Sequence, residues 1–313
     1  MTRRWLLLIA ASLLLLVAAT LVGAPLEGER GSFIFWQLRV PRVLVGALVG
    51  STLALAGAAF QVLFGNPLAT PSTIGTTAGA TLGALLSLTL DLEGAATIPA
   101  SVLCAFAGAL IASLLVAAVS SSGRAAVSDV LLAGIAVTLA ASALASGLTY
   151  VADSRALVAS ARWSLGQLPQ VGYRGVGIIG PAAAVCAVLL LGSSRALSSF
   201  ALGEEVAHAH GVAVRRLRLF ILIAGSLGVA ACVAWCGPIA FVGLLVPHLV
   251  RLVLGSNPTR LLVGSLIAGG AFLVTCDAIA RSVVPGRELP VGVITAALGA
   301  PALIFLIARA RKR

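Results

Sequence analysis

Ten apolar stretches, separated by short polar breaks, constrain this chain more than any other feature of its sequence. Cut at charges, prolines and polar clusters, they run over about 5–24, 43–64, 74–90, 95–119, 127–151, 175–193, 217–235, 239–254, 261–284 and 291–308. About 20 apolar residues suffice for a helix to cross the hydrocarbon core of a bilayer. Lipid offers no hydrogen bonds, so a spanning segment must satisfy its backbone internally, which helices do. Only 10% of the residues are charged, against about 25% in soluble domains. The expectation is an all-α polytopic membrane protein with about ten transmembrane helices, forming a single domain over residues 1–313. The eighth stretch is short and broken by Pro247, and the segment after Trp235 reads as a place for a re-entrant half-helix. Arg3 and Arg4 followed by the run from Trp5 to Ala24 allow a cleaved signal peptide or a first span; the many spans that follow favour the span.

Positive charge sorts the loops. With the N-terminus inside, the inner segments hold Arg3, Arg4, Arg124, Arg195, Arg215, Arg216, Arg218, Arg251, Arg260, Arg309, Arg311, Lys312 and Arg313. The outer segments hold Arg30, Arg39, Arg42, Arg155, Arg162, Arg174, Arg281 and Arg287, together with Glu27, Glu29, Asp91, Glu93, Asp153 and Glu288. The bias places both termini in the cytoplasm and leaves the outer arginines needing a reason to exist. The formal net charge of +11 does not indicate nucleic acid, because the basic residues cap apolar runs and form no basic stripe with interleaved aromatics.

Several chemistries are excluded. The chain has one lysine, Lys312 in the C-terminal tail, so it lacks a phosphate-binding loop of the GxxxxGK[ST] type, which needs a lysine. Any ATP-driven work needs a second polypeptide. His208 and His210 are two apart and fall on different sides of a helix, whereas a metal pair prefers i, i+4; His248 reads as structural. Cys232 and Cys236 share a face but lack His or carboxylate partners, so all five cysteines read as small hydrophobes and no metal is expected. No nucleophile, base and orienting group come together, so no enzyme is expected. Asp277 lies four residues before Arg281 on one helix face; an ion pair is the default, and a proton relay is the alternative. Gly75, Gly79 and Gly83, like Gly46 and Gly50, repeat every four residues as close-packing faces do. Thr138, Ser142, Ser146 and Thr149 line one face of the fifth span; they could line a pathway or bond back to their own helix. The hydrophilic stretch from Ser193 to Arg218 has helical spacing over Gly203–His210, with acids in its first turn and Gly211 to end it. It is longer than a connection requires.

Six segments in sequence order resemble the FecCD family of type II ABC importer permeases. They are LRVPRVLVGALVGSTLALAGAAFQVLFGNPLATP, DVLLAGIAV, RWSLGQL, ALGEEVAHAHGV, GPIAFVGLLVPHLVRLVLG and PGRELPVGVITAALGAP, together reaching from Leu38 to Pro301. The resemblance implies a ten-span permease in the bacterial inner membrane, paired with a second permease subunit, a homodimer being the simpler case. Its partners would be a periplasmic substrate-binding protein and two ATPase subunits that carry ATP and Mg; the chain itself would bind no cofactor. The substrate would be an iron chelate such as a siderophore or haem, with cobalamin as the alternative. Arg39, Arg42 and Arg281 resemble the residues that dock the binding protein, with interfacial snorkelling as the competing role. Leu202, Gly203, Glu204, Glu205, His208 and Gly211 resemble the coupling helix that seats in the ATPase. Asn66, Leu68, Val127 and Ser128 match the cytoplasmic gate, with Val127 where relatives often carry a small polar residue. Two competing classes are a secondary transporter using Asp277 and a membrane-embedded enzyme.

Overall fold

The computed structural model describes residues 2–23, 29–92, 98–120, 127–284 and 286–310, and all regular structure among them is helical. Glu27, Glu93, Arg124, Arg311, Lys312 and Arg313, used above for topology, lie outside the described residues, as do the side chains of Arg30, Val127 and Arg309.

Each of the ten apolar stretches is one helix. They are α1 (Thr2–Leu21), α3 (Val40–Leu63), α4 (Thr76–Thr89), α5 (Ala100–Ser120), α6 (Val127–Val151), α8 (Arg174–Gly192), α11 (Val214–Cys236), α12 (Val242–Leu254), α13 (Pro258–Ser282) and α14 (Val291–Ala310). Four short helices join them: α2 (Glu29–Phe33), α7 (Ser154–Ser164), α9 (Ser194–Phe200) and α10 (Glu204–Ala209). Among the described residues seven helical segments are long and apolar enough to cross a membrane. The chain is a multi-pass membrane protein.

The second span begins earlier than expected. A wide π-helical run, Ile34–Arg39, carries α2 into α3 without a break. Pro41 sits at the join; it has no N–H to give the carbonyl four residues back, and its ring crowds that turn. A locally wider helix accommodates both.

The eighth span also differs. The chain does not break at Pro247 but at residues 237–241, where Phe241 takes a left-handed φ of 66°. The resulting α12 has 13 residues, about 20 Å of helix, too short for a core about 30 Å thick. Pro247 leaves the Gly243 carbonyl without its helical donor, and Gln61 of α3 supplies one. Its Nε2 lies 3.3 Å from Gly243 O and 3.4 Å from Leu244 O, while its Oε1 accepts from Arg251 Nη2 at 2.9 Å. Gln61 is buried, so one amide closes the gap that the proline opens.

Helices α3 and α11 form the centre, and α1 and α6 are mostly exposed. Small residues permit the packing. A methyl on Gly57 would strike the Gly243 carbonyl, and one on Gly50 the Gly269 carbonyl, so α3 meets α12 and α13 backbone to backbone. Gly79 and Gly83 bring α4 against Gly108 and Cys104 of α5 in the same way. In lipid this contact replaces the hydrophobic driving force that water would provide. Gly75, expected on the same face, instead ends the 3-10 turn Pro71–Ile74 at φ 80° and is the residue before α4.

Replacing Gln61 by Leu keeps the volume but leaves the Gly243 carbonyl buried and unpaired, at a cost of about 1–3 kcal/mol. Thermal unfolding of the detergent-purified variant, followed by tryptophan fluorescence, should show a midpoint several degrees below that of the parent; an unchanged midpoint would contradict this role.

Candidate functional site

Three features carry the functional residues: an ionic cluster where α1 ends, a groove along α6, and a small helical knob before α11.

The ionic cluster is built around Asp277. Arg42 places Nε at 3.0 Å and Nη2 at 2.8 Å from Asp277 Oδ1, and Arg281 places Nε at 3.0 Å from Oδ2. The expected Asp277–Arg281 pair is therefore present, and α3 contributes a second guanidinium that spacing within α13 could not reveal. Arg42 Nη1 reaches Glu288 Oε2 at 2.6 Å, and Gln170 Nε2 donates to the same carboxylate at 2.9 and 3.2 Å. The remaining donors go to the end of α1. Arg281 bonds Val22 O at 2.8 Å and Ala19 O at 3.1 Å; Arg39 lies 3.4–3.5 Å from Leu21 O and Thr20 O. The side chains of Arg42, Arg281 and Asp277 are 7% exposed or less, whereas Glu288 is 51% exposed. The outer arginines thus have structural work: they pair a buried acid and finish the carbonyls that α1 cannot pair within itself.

The groove lies between α6 and the segment from Asn66 to Thr81. Ser72, Thr77, Thr81, Thr138 and Ser142 line a hollow of about 450 Å³. It shares Ser72 and Thr138 with a second hollow of about 380 Å³ that reaches Asn66, Leu68 and Leu131. The structure thus brings Thr138 and Ser142 together with Asn66 and Leu68, the residues expected at the gate. Ser146 and Thr149 sit further along α6, exposed and outside both hollows. Thr138 donates to Gly134 O at 2.8 Å, Ser146 to Ser142 O at 3.0 Å and Thr149 to Ser146 O at 2.6 Å. The two readings of these hydroxyls are compatible: a hydroxyl that donates to its own helix still accepts from a ligand. Asn66 Oδ1 accepts from Leu68 N at 2.9 Å, forming the turn that displays Leu68. Ser128 is exposed at the start of α6. Ser72, Thr77 and Thr81 were missed in the sequence; the polar run TPSTIGTTAGAT was the available signal.

The knob is α10. Gly203, at φ 121°, starts it and Gly211, at φ 76°, ends it. Fully buried Ala207 anchors it, and Leu202 (69% exposed), Glu205 and His208 face outward. Glu204, expected to contact a partner, is also paired within the chain, with its Oε1 2.6 Å from Arg218 Nη2 at the start of α11. His210 Nδ1 lies 3.3 Å from Ser199 Oγ.

The FecCD transport family profile matches residues 6–309. The chain belongs to the FecCD transport family. Among its relatives, the hemin transport system permease protein HmuU of Yersinia pestis is 36% identical over 282 residues, 90% of this chain and 84% of that protein. The cobalamin import system permease protein BtuC of Halobacterium salinarum is 38% identical over 287 residues, 91% and 76% of the two chains. An uncharacterized ABC transporter permease protein, YvrB of Bacillus subtilis, is 37% identical over 280 residues, 88% and 79%. A solved structure assigned to the metal-chelate ABC transporter type, in an inward-facing conformation, superposes with a TM-score of 0.88 at 28% identity, covering 97% of this chain and 99% of that one.

The ionic cluster makes a testable demand on this FecCD chain. Asp277→Ala removes the buried acid that two buried guanidiniums share, leaving Arg281 with carbonyl acceptors only and Arg42 with Glu288 alone, at a cost of about 3–5 kcal/mol, whereas Glu288→Gln alters a half-exposed pair worth about 1 kcal/mol or less. Size-exclusion profiles of the two variants should show Asp277→Ala largely aggregated and Glu288→Gln monodisperse. Equal behaviour would refute the central role of Asp277.

Proposed function

We propose that this chain is the permease subunit of a binding-protein-dependent ABC importer that moves an iron chelate, siderophore or haem, across the bacterial inner membrane. Two copies would face each other across the pathway, and two separate ATPase subunits, carrying ATP and Mg, would drive it. Both termini would lie in the cytoplasm. The observation that carries the reading is the knob: α10 displays Leu202, Val206 and Glu205 on a short helix held by Ala207. A transporter that needed no external motor would have no use for such a projection. ATP binding would favour the permease arrangement that the ATPase dimer grips better, and so would alternate access. The exposed apolar side of α6, with Leu132, Ile135 and Leu139, supports a second subunit beside the hydroxyl-lined groove, where the gate formed from Asn66, Leu68, Val127 and Ser128 would open and close.

Docking of the binding protein at Arg39, Arg42 and Arg281 has to contend with the partners these residues already have. Glu288 is the most exposed carboxylate of the cluster and touches Arg42 through Nη1 alone. A partner carboxylate could replace it there while the Arg42–Asp277 bonds stay intact. Charge-assisted pairs of this kind set register.

Cobalamin is the second reading, favoured by the 38% identity to the Halobacterium permease. Proteoliposomes holding this chain, its ATPase and a binding protein should take up one of ferric siderophore, haem or cobalamin only when ATP is present. Gradient-driven uptake by the chain alone would establish the secondary transporter instead. In the same vesicles Leu202→Asp with Glu205→Arg should lower ATP-dependent uptake at least tenfold, and the purified variant should retain its fold. Full uptake by that variant would remove α10 from the coupling role.

A further inference from the structure

Helix α1 packs on the bundle by one narrow face and carries polar fastenings at its two ends. At its start Arg4 Nη1 donates to Val253 O, the end of α12, at 3.2 Å. At its finish Arg281 and Arg39 take the carbonyls of residues 19–22, and Leu16 and Ala19 pack on Val43 and Val274. Between these fastenings α1 touches the bundle along one line, through Trp5, Leu8 and the buried Ser12, and beside that line its surface parts from α12 and α13. The gap is a groove of about 450 Å³ that runs from Arg4 to Leu15, walled by Leu8, Ala268 and Phe272 and almost wholly apolar. Of its hydroxyls, Thr275 is spent on Ala271 O at 2.7 Å.

The dimensions select an occupant. From Arg4 to Leu15 a helix rises about 16 Å, which is half of a hydrocarbon core about 30 Å thick. A second helix, about 10 Å across, would need well over twice the volume available along that length. One acyl tail reaching the bilayer midplane fits. The charge at the mouth then selects the headgroup, because Arg3 and Arg4 are both exposed there and a phosphate near guanidinium groups makes short, charge-assisted bonds. We infer that the groove between α1 and α12–α13 is a binding site for one anionic phospholipid of the leaflet that Arg3 and Arg4 face, its acyl tail filling the gap and its phosphate held at the two arginines. The lipid would widen the narrow protein contact that α1 makes through Trp5, Leu8 and Ser12 along its first half.

The test uses the full-length protein extracted from nanodiscs of equal phosphatidylglycerol and phosphatidylcholine, followed by native mass spectrometry. The parent should retain one phospholipid per subunit with about a fivefold preference for phosphatidylglycerol. Arg3→Gln with Arg4→Gln should abolish the preference. Ala268→Phe, which fills the groove from α13, should lower retention of both lipids several-fold; Ala11→Phe fills it from α1 and serves if the first variant fails to fold. No headgroup preference in the parent, or undiminished retention by both groove-filling variants, would overturn the site. So would efficient disulfide cross-linking of Leu7→Cys between two copies, since the groove would then be covered by protein.

Discussion

Carbonyl oxygens that helix ends and prolines leave unpaired decide where this protein spends its few long polar side chains. In hydrocarbon such a carbonyl finds no water, and an unsatisfied one costs several kcal/mol. Gln61 answers the carbonyl that Pro247 frees, Arg281 and Arg39 answer the last carbonyls of α1, and Arg4 answers the end of α12. Each of these donors comes from a different helix than its acceptor, so satisfying the backbone also fixes how α1, α3, α12 and α13 lie against one another. Arg4, Arg39 and Arg281 each do two jobs, capping a helix and locking a neighbour.

Around that framework the contacts are made by absence. Gly50, Gly57 and Gly79 let carbonyls touch backbone across the helix pairs α3–α13, α3–α12 and α4–α5. Dispersion between closely set atoms accumulates there without any help from water. Two elements keep surface outside this packing: α6 leaves an apolar face and a hydroxyl-lined groove open, and α10 stands proud of the bundle. A rigid centre with unburied edges suits a subunit that is shifted as a body by its partners rather than one that reshapes itself.

Membrane placement, the ten apolar helices and the short helix α10 were all legible in the amino-acid order. Apolar run length maps directly onto bilayer thickness, and Gly203 and Gly211 bracket α10 through their backbone freedom. The family motifs were equally legible, being contiguous. The ionic cluster was only half legible. Asp277 and Arg281 share a helix face, so their pairing follows from spacing, but Arg42 lies 235 positions from Asp277 and Glu288 sits in a loop. The arginines assigned by resemblance to docking turned out to be deeply engaged inside the chain, a burial that no charge-counting rule could anticipate. Gln61 read as one polar residue in an apolar helix; its role became visible only once Pro247 was set beside it.

The sequence by itself determined that this chain lies in a membrane, where its ten apolar helices fall and where the knob lies, because those properties depend on local composition and on backbone limits a few residues long. Only the tertiary structure decided which polar groups meet, that the eighth segment breaks at residues 237–241 rather than at its proline, and that a hollow of about 450 Å³ lies beside α1. Those outcomes depend on donors and carbonyls brought together from opposite ends of the chain, and the cost of leaving either unpaired in hydrocarbon is what selects the pairing.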